Sequence, residues 1–153
     1  MVNVPLTHNT IGAILSRTRD IDPVTRKLVY AAVLPSKLSH PRQLSIAQRE
    51  LVVKDGLGDR EPGVRVAAGK LVTTWFDGIC GEKVEEGDDH TWEGDDGGVM
   101  KGLVRFLSLF DVVGPGEALA VDAILAVFST RPETCDVFVF SGALRLSLPF
   151  GSH

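Results

Sequence analysis

The feature that most constrains this chain is a block that occurs twice. Asp20-Ile21-Asp22-Pro23-Val24-Thr25-Arg26 returns thirty-nine residues later as Asp59-Arg60-Glu61-Pro62-Gly63-Val64-Arg65, with Asp, Pro and Arg at the same offsets. Self-similarity at a fixed period signals units that cannot bury an apolar face alone and must stack. A helical pattern follows each block. It is clearest in Val64, Ala67, Ala68, Leu71, Val72 and Trp75, which recur at i, i+3, i+4, i+7, i+8 and i+11 and make one wide apolar stripe. In the first copy Val24, Leu28, Ala31 and Ala32 fall on one side, and Pro35 is expected to end that helix. Each of these helices has a predecessor. Ser45-Ile46-Ala47-Gln48 reads as a capping box opening a helix that runs to Asp55, with Gly56 as a left-handed stop, and residues 7–17 read as a helix with Ile11, Ile14 and Leu15 turned inward. Further on, Val99, Leu103, Phe106, Leu107 and Phe110 form a stripe, Asp111 opens a turn, and Val121, Ile124, Leu125 and Phe128 form the next.

A helix–turn–helix unit near forty residues has the length of HEAT and armadillo repeats. The expected fold is therefore all-α: an α-solenoid of about three HEAT-type helix pairs within residues 1–138. The repeats are expected near 6–38, 44–77 and 98–130, with a disordered acidic loop at 81–98 and an irregular tail at 139–153. The recurring block then acquires a structural role. Asp20 and Asp59 stand where a carboxylate can cap the second helix of a pair, and Arg26 and Arg65 could reach the equivalent carboxylate of a neighbouring repeat, forming a ladder. In the third copy Glu117 stands where the arginine would be, which predicts an atypical repeat or a changed register.

Composition narrows function as well as fold. With 44% apolar and 24% charged residues the chain is neither a coiled coil nor wholly disordered. No apolar run reaches the length of about eighteen residues that spans a bilayer. The start MVNVPLTHNT lacks the basic and apolar regions of a signal peptide, so the chain reads as intracellular with no membrane role. Cys80 and Cys135 are far apart and read as reduced thiols. Charge is uneven: residues 1–70 hold eleven Lys/Arg against six Asp/Glu, and 71–153 hold five against fourteen. A basic half is compatible with a polyanion partner, because cations near phosphates release condensed counterions.

More specific strings are Arg17-Thr18-Arg19-Asp20, Arg26-Lys27-Leu28-Val29-Tyr30, Ser45-Ile46-Ala47-Gln48-Arg49, Gly56-Leu57-Gly58-Asp59-Arg60 and Trp75 in the next helix. With these the chain resembles the HEAT-repeat G subunit of condensin, condensin complex subunit 3, most densely over residues 15–77 and more loosely over 99–138. Members of that family are several times longer, so the chain reads as a short internal piece of the solenoid. The resemblance implies a non-enzymatic role without cofactors: binding double-stranded DNA independently of sequence, and binding the kleisin subunit, within a multi-subunit ATPase complex that condenses mitotic chromosomes. It also implies a place in the nucleus and on chromosomes, with a cytoplasmic pool. The candidate DNA contacts are the cations not needed for packing, Arg17, Arg19, Lys37, Arg42 and Arg49, of which Arg17 and Arg49 stand inside the family-like strings. Trp75 and Tyr30 lie among apolar neighbours and read as core.

Other signals carry less. Gly63 to Leu71 superficially suggests a phosphate loop, but the glycine spacing is too long by one and Leu71 replaces the magnesium-binding Ser/Thr. Asp88, Asp89, Asp95 and Asp96 lack the ligand spacing of an EF-hand, and the four histidines are scattered, so no metal site and no catalytic residue is expected. Two other readings stand beside the condensin one: a protein-binding HEAT scaffold with no nucleic-acid role, and a HEAT-like enzyme acting on DNA bases, which would need an acid or aromatic pocket beside the basic groove.

Overall fold

The computed structural model describes residues 6–82 and 97–133, and among these it is built from helices with no strand. The central residues of the expected acidic loop, the tail and Cys135 lie outside the described residues.

Helix α1 (His8–Ser16) opens on Thr7, whose Oγ1 accepts the Thr10 N–H at 3.2 Å, and it turns Leu15 into the core with Ile11 and Ile14 packed beside it. A 3-10 turn, Arg17–Arg19, leads to α2 (Pro23–Leu28). Asp22 caps that helix by accepting the N–H groups of Val24 and Thr25, and Pro23 occupies the first turn, where a missing N–H leaves no bond unmade. Pro35 does not end the helix. A widened π-type turn, Val29–Val33, carries the chain into α3 (Leu34–Lys37), with the Leu34 N–H reaching back to the Val29 carbonyl. The wide turn shifts the hydrogen-bond register just ahead of a residue that has no N–H to donate.

This helix also buries the face opposite to the one its apolar stripe suggests. Val24 and Leu28 are 71% and 57% exposed, and Ala31 and Ala32 are exposed too, whereas Arg26, Val29, Tyr30, Leu34 and Leu38 are buried. The physical reason is that both long polar-tipped side chains find acceptors inside. Arg26 reaches Asp59, and the Tyr30 hydroxyl donates to the Val52 carbonyl at 2.7 Å. A buried polar tip that is bonded costs little, while its stem contributes apolar area.

The second pair follows the sequence closely. The Ser45 side chain accepts the Gln48 N–H and the Gln48 side chain accepts the Ser45 N–H, opening α4 (Ile46–Leu57) with a capping box. All six residues of the Val64–Trp75 stripe are buried in α5 (Pro62–Cys80). The expected stop at Gly56 is displaced: the helix continues to Leu57 and Gly58 stands at its C-cap. Gly56 is a point of close approach instead. A Cβ there would lie 2.6 Å from both the Ala68 Cβ and the Tyr30 ring, so glycine lets α4 settle onto α5 and the first pair.

Helix α5 is the hub, packed against α2, α3, α4, α6 (Gly97–Leu107) and α7 (Glu117–Thr130). The third pair is fixed to it by the edge-to-face contact of Phe76 with Phe106 at 5.4 Å, and Phe106 in turn packs edge-to-face on Phe110 at 5.7 Å within the third pair. It is also fixed by Gly102, where a Cβ would collide with Cys80 Sγ. The inward face of α7 is Ala120, Ala123 and Val127, not Val121 and Leu125, which are 51% and 56% exposed. Small residues let α7 come close to its neighbours, which the apolar periodicity alone does not reveal.

Candidate nucleic-acid interface

The turns inside the first two pairs share the same bonds at their aspartate and at one arginine nitrogen. Asp20 Oδ1 accepts the Asp22 N–H at 3.0 Å, and Asp59 Oδ1 accepts the Glu61 N–H at 2.9 Å. These are local turns rather than the helix caps expected of these aspartates: Asp22 caps α2, and Glu61 makes no side-chain cap to α5. Arg26 Nη1 donates to the carbonyls of Asp20 and Ile21, and Arg65 Nη1 donates to those of Asp59 and Arg60. The two arginines differ in their remaining edge. Arg26 spans the pairs with Nε and Nη2 on the two Asp59 oxygens at 2.7 and 3.0 Å, both side chains 7% exposed. The guanidinium holds the Asp59 carboxyl below the usual range, and the carboxylate raises Arg26 in return. Arg65 is exposed and meets no carboxylate among the described residues. Asp111, at the turn of the third pair, donates its N–H to Glu50 instead.

The loops between pairs carry a second group of charges. Arg42, on the 3-10 turn Pro41–Gln43, donates through Nε and Nη2 to Glu82 at 2.8 and 3.0 Å, and His40 Nε2 lies 3.0 Å from the same carboxylate. Arg42 holds the Glu82 carboxyl below its ordinary range. Arg105 from α6 donates to the Glu82 carbonyl at 3.3 Å. Glu82 falls within the expected acidic loop at 81–98, and Arg42, His40 and Arg105 tie it to the packed chain. Arg49, in the first turn of α4, belongs to this group but is 8% exposed, and its buried Nε has no hydrogen-bond partner. Burial pushes its guanidinium down and the Arg42 cation pushes the same way, while the Glu50 carboxylate opposes them.

The five expected DNA contacts therefore divide. Arg17 and Arg19 are exposed together at the end of α1, Arg17 pairing with Asp20 at 2.9 Å. Lys37 and Arg42 are exposed near the loop that enters α4, and Arg49 is buried there, so its choice as a cation free of packing is corrected. The length of α2 through α3 puts roughly 20 Å between the two groups. Sequence reasoning missed Lys27 and Lys70. They flank a groove of about 590 Å³ between the first and second pairs whose walls include Tyr30, Val66 and Leu71. Their signal was position, since each stands on the face opposite the buried residues of its helix. The discarded phosphate-loop match lies inside α5, and among the described residues no group of His, Cys, Asp or Glu is placed to hold a metal. No described helix is long and apolar enough to cross a membrane.

Stacked helix pairs with a repeated Asp–Arg turn and a central hub helix define a HEAT-type α-solenoid segment. No family model matches the chain. It is 41% identical over 149 residues to condensin complex subunit 3 of Schizosaccharomyces pombe, covering 97% of this chain and 14% of that protein. It is 32% identical to the human protein of the same name over 124 residues, covering 80% of this chain and 10% of that protein. In structure it resembles a chain of the crystal structure of the S. pombe condensin Cnd3-Cnd2 subcomplex, with a TM-score of 0.67 and 31% identity over 88% of this chain and 15% of that one. The chain belongs with the condensin complex subunit 3 family and spans about a seventh of the length of the S. pombe relative.

Proposed function

We propose that this chain is a non-enzymatic scaffold segment of a condensin, contributing to sequence-independent DNA binding and to attachment of the kleisin subunit in mitotic chromosome condensation. The observation that carries the reading is similarity to condensin complex subunit 3 along 97% of the chain. The solved relative, an assembly of Cnd3 with Cnd2, supports the partner. The exposed cations support the DNA part. Arg17, Arg19, Lys37 and Arg42 are exposed, and Lys27 and Lys70 flank the groove between the first and second pairs. Such an array can follow phosphates without reading base edges. The acidic half does not prevent this, because most of its excess charge is counted outside the basic pairs.

The test is a duplex titration by fluorescence anisotropy at several salt concentrations. Binding is expected to weaken linearly on a log–log plot by about 0.9 per neutralised phosphate. Changing Arg17 and Arg19 together to Glu is expected to flatten that slope by about 2. Affinity indifferent to salt, or absent at low salt, would leave a protein-binding scaffold with no nucleic-acid role.

A further inference from the structure

The groove between the first two helix pairs combines apolar walls with two cations. Ala31 and Pro35 form one wall, and Pro62 and Val66 the other. Val66 is 59% exposed, although the next residue, Ala67, is buried. The hydroxyls of Tyr30 and Thr74, which also border the groove, are spent on the carbonyls of Val52 and Lys70. What remains for a ligand is the pair of lysines. Lys27 lays its arm across Gly63, where a Cβ would stand 3.5 Å from Cδ and 3.7 Å from Nζ, so its ammonium is set at the start of α5. Lys70 stands two turns further along that helix, roughly 10 Å by the helical rise. No acidic residue lines the groove, and among the described residues neither lysine forms an ion pair.

We infer that this groove is a docking site for a segment of the kleisin that carries an apolar side chain between two carboxylates. The inference deepens the attachment half of the proposed function, on which it rests, and assigns Lys27 and Lys70 to the protein partner rather than to DNA. Charge and shape select this occupant together. Two cations about two turns apart match two acids at a similar separation, and the apolar walls between them match the side chain that lies between those acids. A purely apolar segment would cover two ammonium groups without pairing them, and a purely acidic one would leave Val66 and the prolines without an apolar partner. A duplex fits less well. Its phosphates would meet the lysines, but its charged oxygens would also be pressed against proline and valine, which offer no hydrogen bond in exchange for lost water. The groove thus reads an order of side chains: acid, apolar, acid.

The experiment uses the whole chain, the kleisin subunit of the same complex and overlapping peptides that tile it, with binding read by fluorescence polarisation. The wild type is expected to capture the kleisin and a peptide bearing that order of side chains. Changing Lys27 and Lys70 together to Glu is expected to weaken capture about tenfold, since two attractions become repulsions. Val66→Asp, at a side chain already largely in solvent, is expected to weaken it as well. Exchanging the two acids of the peptide for lysines is expected to restore binding to the reversed groove and to abolish it on the wild type. Kleisin capture unaltered in the double reversal overturns the site and leaves attachment standing elsewhere on the chain; unaltered capture in Val66→Asp does the same should the reversal fail to fold. A wild type that captures no part of the kleisin removes the attachment reading and the site together. A double reversal that loses duplex affinity but keeps the kleisin gives the groove to nucleic acid, and one that converts a dimeric chain to a monomer in sedimentation gives it to a second copy. Either result overturns the site.

Discussion

Two ends of the helix pairs carry nearly the same ion pair in different surroundings. At the turn end Arg26 grips Asp59 at 2.7 and 3.0 Å, and at the loop end Arg42 grips Glu82 at 2.8 and 3.0 Å. The first pair is 7% exposed on both sides, while the second is 50% and 27% exposed. Geometry alone would rank them equal. Burial separates them, because an exposed pair competes with water and is screened, whereas a buried pair leaves an uncompensated charge when one partner is removed. The turn end is thus a structural seam between repeats, and the loop end keeps charge near the surface.

Four measurements can break or sharpen that contrast. The largest effect is expected from Arg26→Met, which strands the Asp59 carboxylate and empties two backbone carbonyls, and should lower the urea midpoint more than any change below. Its pH dependence follows from the same pair. Asp59 titrates lower folded than unfolded, so its stabilisation is fully present above the ordinary carboxylate range and is lost as pH falls through the lowered value. Melts of wild type and Arg26→Met should therefore converge in acid; curves that stay parallel would deny the pair its role. Next is Gly56→Ala, which drives a methyl group into Ala68 and Tyr30 and should cost about 1–3 kcal/mol, with helix propensity returning up to about 1. Ser45→Ala removes the cap of α4 and should cost about 1 kcal/mol by the same measurement. The smallest is Arg42→Gln, expected within about 0.2–1 kcal/mol and weaker still in salt. A loss there as large as at Arg26 would erase the distinction between the two ends.

Much of this was legible in the residues. The Ser45 box, the Val64–Trp75 stripe and the Asp–Arg repeat are local signals, and local hydrogen bonding or helical period suffices to read them. What was not legible depends on partners distant in sequence. Arg26 and Tyr30 look like surface residues until Asp59 and the Val52 carbonyl receive their tips, and so the wrong face of the first helix looked like its core. The widened turn before Pro35 adds a residue to the helical count, which no apolar pattern announces. Gly56 resembles a terminator because glycine serves both as a stop and as a point of close approach, and only the neighbouring ring distinguishes them. At the candidate site, Arg49 sits in a family-like string that suggests a surface contact. Its burial depends on how the chain packs around the start of α4, which no apolar periodicity announces.

The hydroxyl of Tyr30 has a use at the bench. It is the sole tyrosine of the chain, it joins the first pair to the second through Val52, and burial pushes its phenol well above the ordinary range. Phenolate absorbance in an alkaline titration can therefore develop only as that junction opens. A simple ultraviolet reading thus becomes a native gauge of whether two neighbouring units of the coil have come apart, with no label attached.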